Sequence, residues 1–442
     1  MSISAKTNIG DVFIYKYNDS FYLYSPLDKV ILKLKGKGYS NLMANQNKNH
    51  WKSQLSKYKV FSNTKPEVYE YVSTNKFDGV TFMMTNACNL ACRYCYASDY
   101  QKKPSFMPED IWSKTLEYAF ENRDMKSNEF SLAFHGFGEC TLFFKDIIKI
   151  SEAFKRKAKT LGLKPIFQIT TNGTFTESEC TYLIENNYRV NLSIDGDKEI
   201  NDSMRLQKNG KSPFEKIVSN AKMLSNAVTK ERLLARSTVT SKSLDKMIES
   251  LEYFNSIGIR MVHFAPMDIR GAATGIDKLA VDINEFIEKL KECIHKASEL
   301  GMKIYYGPFN FGIGTRFCFS KSKLTVDYSG RIIACVEAGE NSDYEEFCFG
   351  NIREQQIGFK QDRIDKLNSI SVYDYPECNN CLLKYHCAGY CRVNRIQREK
   401  NNSEFAHICK ANENGFAWIL NELTLNKDRV KSLLDFPVEQ LL

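Results

Sequence analysis

The chain has 442 residues, 43% of them apolar, enough for two or three domains with substantial cores. Its 61 basic and 53 acidic side chains leave a net charge of +8, too mild a bias over this length to indicate nucleic-acid binding, though it suits an acidic peptide. No stretch is apolar over a bilayer-spanning length, the N-terminus lacks a secretion-signal pattern, and 14 cysteines in so long a chain point to metal rather than disulfides; a reducing, cytoplasmic setting is expected.

Residues 1–75 read as a small N-terminal element. DVFIYKYNDSFYLYSP predicts two strands around an Asn-Asp-Ser turn, and LDKVILKLKG and KNHWKSQLSKYKV predict short helices. Residues 11–26 would either offer an exposed strand edge to an extended leader peptide or simply cap the neighbouring domain. Residues 76–308 alternate short β-branched or aromatic runs with longer amphipathic stretches. The runs are VTFMMT (80–85), FSLAFH (130–135), IFQITT (166–171), VNLSID (190–195), LLARSTVT (233–240) and MVHFAP (261–266). Such alternation argues for a parallel sheet with helical crossovers. Periodicity alone does not separate a partial barrel from an open doubly wound sheet. Residues 309–442 are rich in cysteine and turn residues, and NENGFAWILNELTLNKDRVKSLLDF predicts an amphipathic terminal helix.

Just past the first run, CNLACRYC sets Cys88, Cys92 and Cys95 close together, with no nearby Cys or His to complete a four-ligand site. Soft thiolates suit zinc and iron–sulfur clusters, and three can hold a four-iron cluster with one iron open to a further ligand. The stretch GVTFMMTNACNLACRYCYA resembles the radical SAM family, whose Cys-x3-Cys-x2-Cys loop binds a 4Fe–4S cluster chelated by S-adenosylmethionine. A zinc knuckle is the competing reading of the three cysteines. The resemblance implies a partial (β/α)6 TIM-like barrel over residues 76–308, with chemistry at the carboxyl ends of its strands.

It also implies roles for residues after those strands. Glu139 in GFGEC follows Gly136 and Gly138 as the acidic residue of the family's Gly-Gly-Glu-Pro motif does, which assigns it the amino group of S-adenosylmethionine; Phe137 and Cys140 depart from that motif. Cys140 reads as a small buried hydrophobe. In NLSIDGDKEINDSMR, Ser193 and Arg205 match a serine and an arginine that contact the cofactor, and a guanidinium fork suits its carboxylate. Asp195 would serve substrate or structure. Asn172, in TTNGT, is a polar contact or an ordinary turn residue, and Tyr94 stands where the family's backbone approaches adenine.

Near the C-terminus come Cys318, Cys335, Cys378, Cys381, Cys387, Cys391 and Cys409, with Cys-x2-Cys-x5-Cys-x3-Cys inside. This spacing resembles the SPASM extension of radical SAM enzymes, so that 309–442 would form an auxiliary-cluster domain and terminal helix. The resemblance implies a four-thiolate site from Cys378, Cys381, Cys387 and Cys409, and a second from Cys318, Cys335 and Cys391, one ligand short because Leu324 stands where some relatives have cysteine. That cluster would hold an open iron or recruit Cys348. Cys180 and Cys293 read as packing residues.

Taken together the resemblance implies three iron–sulfur clusters, S-adenosylmethionine, a donor such as flavodoxin or ferredoxin, and a 5′-deoxyadenosyl radical that abstracts a substrate hydrogen. The expected product is an oxidative crosslink, a thioether in particular, in a ribosomally made precursor peptide. Formylglycine formation of the anaerobic sulfatase-maturase type is the leading alternative, with Glu337 as a candidate base. A nonenzymatic, zinc-stabilised interaction protein is the alternative of another class.

Overall fold

Alternating apolar residues at the N-terminus build a four-stranded antiparallel sheet in the order β1 (Ile3–Ile9), β2 (Val12–Tyr17), β3 (Ser20–Ser25), β4 (Val30–Leu34). The computed structural model describes the whole chain apart from residues 1, 59, 62–64, 67–73, 99, 100, 102, 228, 229, 270, 317–321, 339–341, 400–403 and 434–442. Side chains alternate across a strand. One face of the sheet therefore packs Val12, Ile14, Leu23 and Val30 against Leu42, Trp51 and Leu55 of the helices Gly36–Met43 and Lys48–Leu55. Two sequence expectations change here. The segment around Val30–Leu34 is a strand, not a helix, because a short apolar run is locally ambiguous and pairing from Phe21↔Leu34 to Ser25↔Val30 decides it. Residues 11–26 offer no open edge, since β2 and β3 lie between β1 and β4.

The chain forms two units. One joins Met1–Tyr69 with Asp282–Phe317 and Ile370–Leu442; the other comprises Glu70–Val281 and Cys318–Ser369. In the first, the helix Ile283–Leu300 starts where Asp282 accepts from Asn284 N and Glu285 N, and ends at Gly301 with φ of 65°.

The second unit carries β5 (Gly79–Met83), β6 (Glu129–His135), β7 (Lys164–Thr171), β8 (Arg189–Ser193), β9 (Leu233–Val239) and β10 (Met261–Pro266), all parallel and adjacent in chain order. Each of the six runs read from sequence is one of these strands, and helices such as Glu109–Glu121, Phe144–Thr160 and Phe214–Ala227 connect them. This is the partial (β/α)6 arrangement. Beyond it, Lys323–Asp327 adds a parallel strand beside β5, and Arg331–Ile333 and Cys348–Asn351 continue antiparallel. Leu324 sits buried in that added strand opposite Val80, so position 324 belongs to the sheet core.

Candidate functional site

Parallel strands leave their carboxyl ends on one side, and the loops there meet. The loop after β5, which carries the three cysteines, is tied down between Ala91 and Cys95. Ala91 N donates to Leu206 O (2.8 Å), Arg93 N to Met204 O (2.9 Å) and Ala272 N to Cys95 O (2.9 Å). From the turn after β6, Gly138 N donates to Thr85 O (3.1 Å) and Glu139 N to Ala87 O (2.7 Å). Gly138 must be glycine for this approach: a Cβ there would stand 1.9 Å from Ala87 O.

These loops enclose a cavity of about 270 Å³ lined by Cys88, Cys92, Cys95, Tyr94, Gly138, Glu139, Asn172, Ser193 and Arg205, among others. Every residue that the sequence suggested for the cofactor thus faces one space. Their individual contacts are more specific. The buried Glu139 carboxylate accepts at Oε1 from Thr141 N (3.1 Å), Thr141 Oγ1 (2.6 Å) and Thr171 Oγ1 (2.7 Å), and at Oε2 from Asn172 N (2.6 Å). Burial raises its pKa against those four lowering bonds. Oε1 is saturated, so an ammonium would meet Oε2. The side chain of Asn172 holds the turns, donating to Asn89 Oδ1 (2.9 Å) and accepting from Thr174 Oγ1 (2.7 Å).

Arg205 Nε donates to Asp195 Oδ2 (3.0 Å), Nη1 approaches Cys92 Sγ (3.8 Å), and the guanidinium lies over the Tyr94 ring, 5.2 Å from its centroid. Tyr94 OH donates to the same Asp195 oxygen, and Thr238 N donates to Oδ1 (2.9 Å). Asp195 is thereby fixed as the partner of Arg205, and Tyr94 contributes a half-buried side chain. Sequence reasoning passed over His135, Arg236, Thr238 and Asp268, which line the same cavity. The one signal for His135, Thr238 and Asp268 was position, at or near the ends of β6, β9 and β10, whereas Arg236 stands in the middle of β9.

The donor set suits a cluster. Burial pushes the Cys88 thiol up to about 12 and Cys92 up to about 11; the irons of a bound cluster would hold these sulfurs as thiolates, as metal ions do. Among the described residues no three His, Cys, Asp or Glu side chains converge as a single ion requires. Cluster thiolates each take a different iron and need no such convergence. In the other unit, Cys378, Cys381, Cys387 and Cys409 line one small cavity, and burial raises the pKa of each. Cys391 belongs to that unit without lining this cavity, Cys335 belongs to the barrel unit, and Cys318 lies outside the described residues. Cys348 opens the strand Cys348–Asn351 and pairs with Ile333, two residues before Cys335. Cys140, Cys180 and Cys293 are buried.

Glu139→Ala is expected to cost about 1–3 kcal/mol of stability, since it strands the buried donors of Thr141, Thr171 and Asn172; Glu139→Gln, which keeps an acceptor, costs less. Denaturant midpoints of the two variants check this.

The radical SAM superfamily model matches residues 82–251. The cysteine-type anaerobic sulfatase-maturating enzyme of Clostridium novyi is 25% identical over 360 residues, covering 76% of this chain and 93% of that protein. The sporulation killing factor maturation protein SkfB of Bacillus subtilis is 26% identical over 221 residues, 49% of each. Among solved structures, native anSMEcpe with bound AdoMet and Cp18Cys peptide superposes with a TM-score of 0.64 at 21% identity, covering 78% of this chain and 98% of that one, a likeness of fold.

Proposed function

Because this chain is a radical SAM enzyme, with its radical SAM domain at residues 82–251, we propose that it oxidatively crosslinks a ribosomally made precursor peptide, forming a thioether. The observation that carries the peptide reading is a groove of about 700 Å³ along β4, one of the two edge strands of the N-terminal sheet. Ile31, Leu34, Leu42 and Leu55 supply its apolar floor, and Lys33, Lys35 and Lys57 its charge. An extended acidic segment fits by adding a strand to that edge.

S-adenosylmethionine and a cluster on Cys88, Cys92 and Cys95 supply hydrogen-atom abstraction when bound, and a cluster on Cys378, Cys381, Cys387 and Cys409 supplies an acceptor for the second electron. The chain's own residues bind and orient. Arg205, held by Asp195 and Tyr94, and Ser193 present donors to the cofactor's carboxylate, while Glu139 Oε2 faces its ammonium. Crosslinking a thiol to a carbon releases two protons and two electrons in all, one proton leaving with the abstracted hydrogen atom. His135 does not take the other: its Nδ1 accepts from Gly136 N (2.9 Å), which places the ring proton on Nε2, and burial keeps it neutral. Glu337, which lines the same cavity, is the acceptor.

Formylglycine formation is the second reading, favoured by the near-complete coverage of the C. novyi sulfatase-maturating enzyme. Against it, about a fifth of this chain has no counterpart in the anSMEcpe fold. The deciding experiment incubates anaerobically reconstituted protein with S-adenosylmethionine and a candidate peptide from a neighbouring short reading frame. Loss of two hydrogens with resistance to thiol alkylation supports the crosslink; an aldehyde captured by a hydrazide supports formylglycine. Reversing the charges in the groove (Lys33→Glu, Lys35→Glu, Lys57→Glu) is expected to weaken that peptide's binding while leaving S-adenosylmethionine affinity unchanged; equal peptide affinity would remove the groove from recognition.

A further inference from the structure

The cavity is lined by a second cation besides the buried Arg205, the half-buried Arg236. Arg236 lies on β9, opposite Ser193 of β8 on one side and His263 of β10 on the other, and lines the same space as the cysteine loop. Among the described residues its side chain makes one hydrogen bond, Nη1 to Ser237 O at 3.2 Å, and no carboxylate stands within ion-pair distance. A guanidinium carries five N–H donors in a rigid fork, so most of them remain for a ligand. Arg236 is half-buried and lines the cavity, and desolvation lowers its pKa.

The neighbouring groups do not use it up. Asp195 is committed at Oδ2 to Arg205 and Tyr94 and at Oδ1 to Thr238 N. Glu337 lines the cavity and favours the charge on Arg236 electrostatically. His263, across the strand pair, is kept neutral by burial and by the guanidinium itself. A desolvated guanidinium with so few partners is costly unless paired, and its unused donors can take a ligand of opposite charge.

We propose that Arg236 is a carboxylate grip: its guanidinium binds a carboxylate brought into the cavity, and the peptide substrate, through an acidic side chain or its C-terminus, is the source that the placement favours. The methionyl carboxylate already has Arg205 and Ser193, whereas Arg236 sits on the next strand, which also carries Thr238, with the Glu337 charge acting on it. The inference rests on the cavity being where peptide and cofactor meet, and binding of S-adenosylmethionine by the unaltered protein tests that reading separately.

The experiment uses anaerobically reconstituted full-length protein, unaltered and as Arg236→Gln, titrated with S-adenosylmethionine, with its decarboxylated analogue, and with succinate after saturation by S-adenosylmethionine. Expected is succinate binding that weakens about tenfold or more in Arg236→Gln, as loss of a charge-assisted contact predicts, with S-adenosylmethionine binding unchanged. If instead S-adenosylmethionine weakens to that extent and its decarboxylated analogue does not, the grip holds the cofactor's carboxylate. Arg236→Lys, which keeps the charge, should recover part of the lost affinity and guards against a folding defect. Affinities for all three ligands equal in the unaltered and Arg236→Gln proteins would overturn the proposal.

Discussion

Replacing Cys88, Cys92 and Cys95 together by Ala is expected to abolish reductive cleavage of S-adenosylmethionine while iron stays bound elsewhere in the chain. The three thiols share one cavity with Glu139, Ser193 and Arg205, and their loop is anchored by backbone bonds to residues 204 and 206, so the substitutions remove ligands without removing the anchors. Cys378, Cys381, Cys387 and Cys409 line a separate cavity in the other unit and keep their own set of donors. Iron per chain should therefore fall without vanishing, and 5′-deoxyadenosine should drop to background by chromatography. Undiminished 5′-deoxyadenosine from the triple variant would refute the assignment. Complete loss of iron would show that the Cys378 set binds none by itself.

The barrel was legible because its signal is local. Each β-branched run from Val80 to Pro266 became a strand in chain order, since a buried parallel strand needs little more than a short apolar run between turn signals. The cysteine loop was legible for the same reason, its spacing lying within eight residues. What sequence missed depends on partners distant in the chain. Val30–Leu34 reads as either helix or strand until β3 pairs with it, and that pairing also closes the edge expected at residues 11–26. Nor does a motif record that Asp195 is spent on Arg205 and Tyr94, or that Glu139 answers four donors; these facts emerge only when turns after β6, β7 and β8 converge. Arg236 escaped notice because a lone arginine in a strand looks like an exposed edge charge, whereas β8 and β10 flank it.

Gly138→Ala is expected to disable the site while leaving the fold intact. Its Cβ would stand 1.9 Å from Ala87 O, 2.5 Å from Ala87 C and 2.7 Å from Asn86 C, all backbone atoms just before Cys88. No flexible side chain is there to yield. The turn after β6 must separate from the cysteine loop, which breaks the bonds from Gly138 N to Thr85 O and from Glu139 N to Ala87 O and carries Cys88 away from its partners. Overpacking of this kind costs about 1–3 kcal/mol, and because the strain falls on a ligand loop it should appear as a loss of about tenfold or more in S-adenosylmethionine affinity. Gly136 is the internal control: its nearest contact for an added Cβ is Thr85 O at 3.0 Å, so a shift of a few tenths of an ångström accommodates Gly136→Ala. Anaerobic titration with S-adenosylmethionine and iron analysis of both variants, alongside circular dichroism to confirm the fold, should rank Gly138→Ala far below Gly136→Ala. Equal binding by the two variants would mean that the close approach of these turns does not hold the cysteine loop in place.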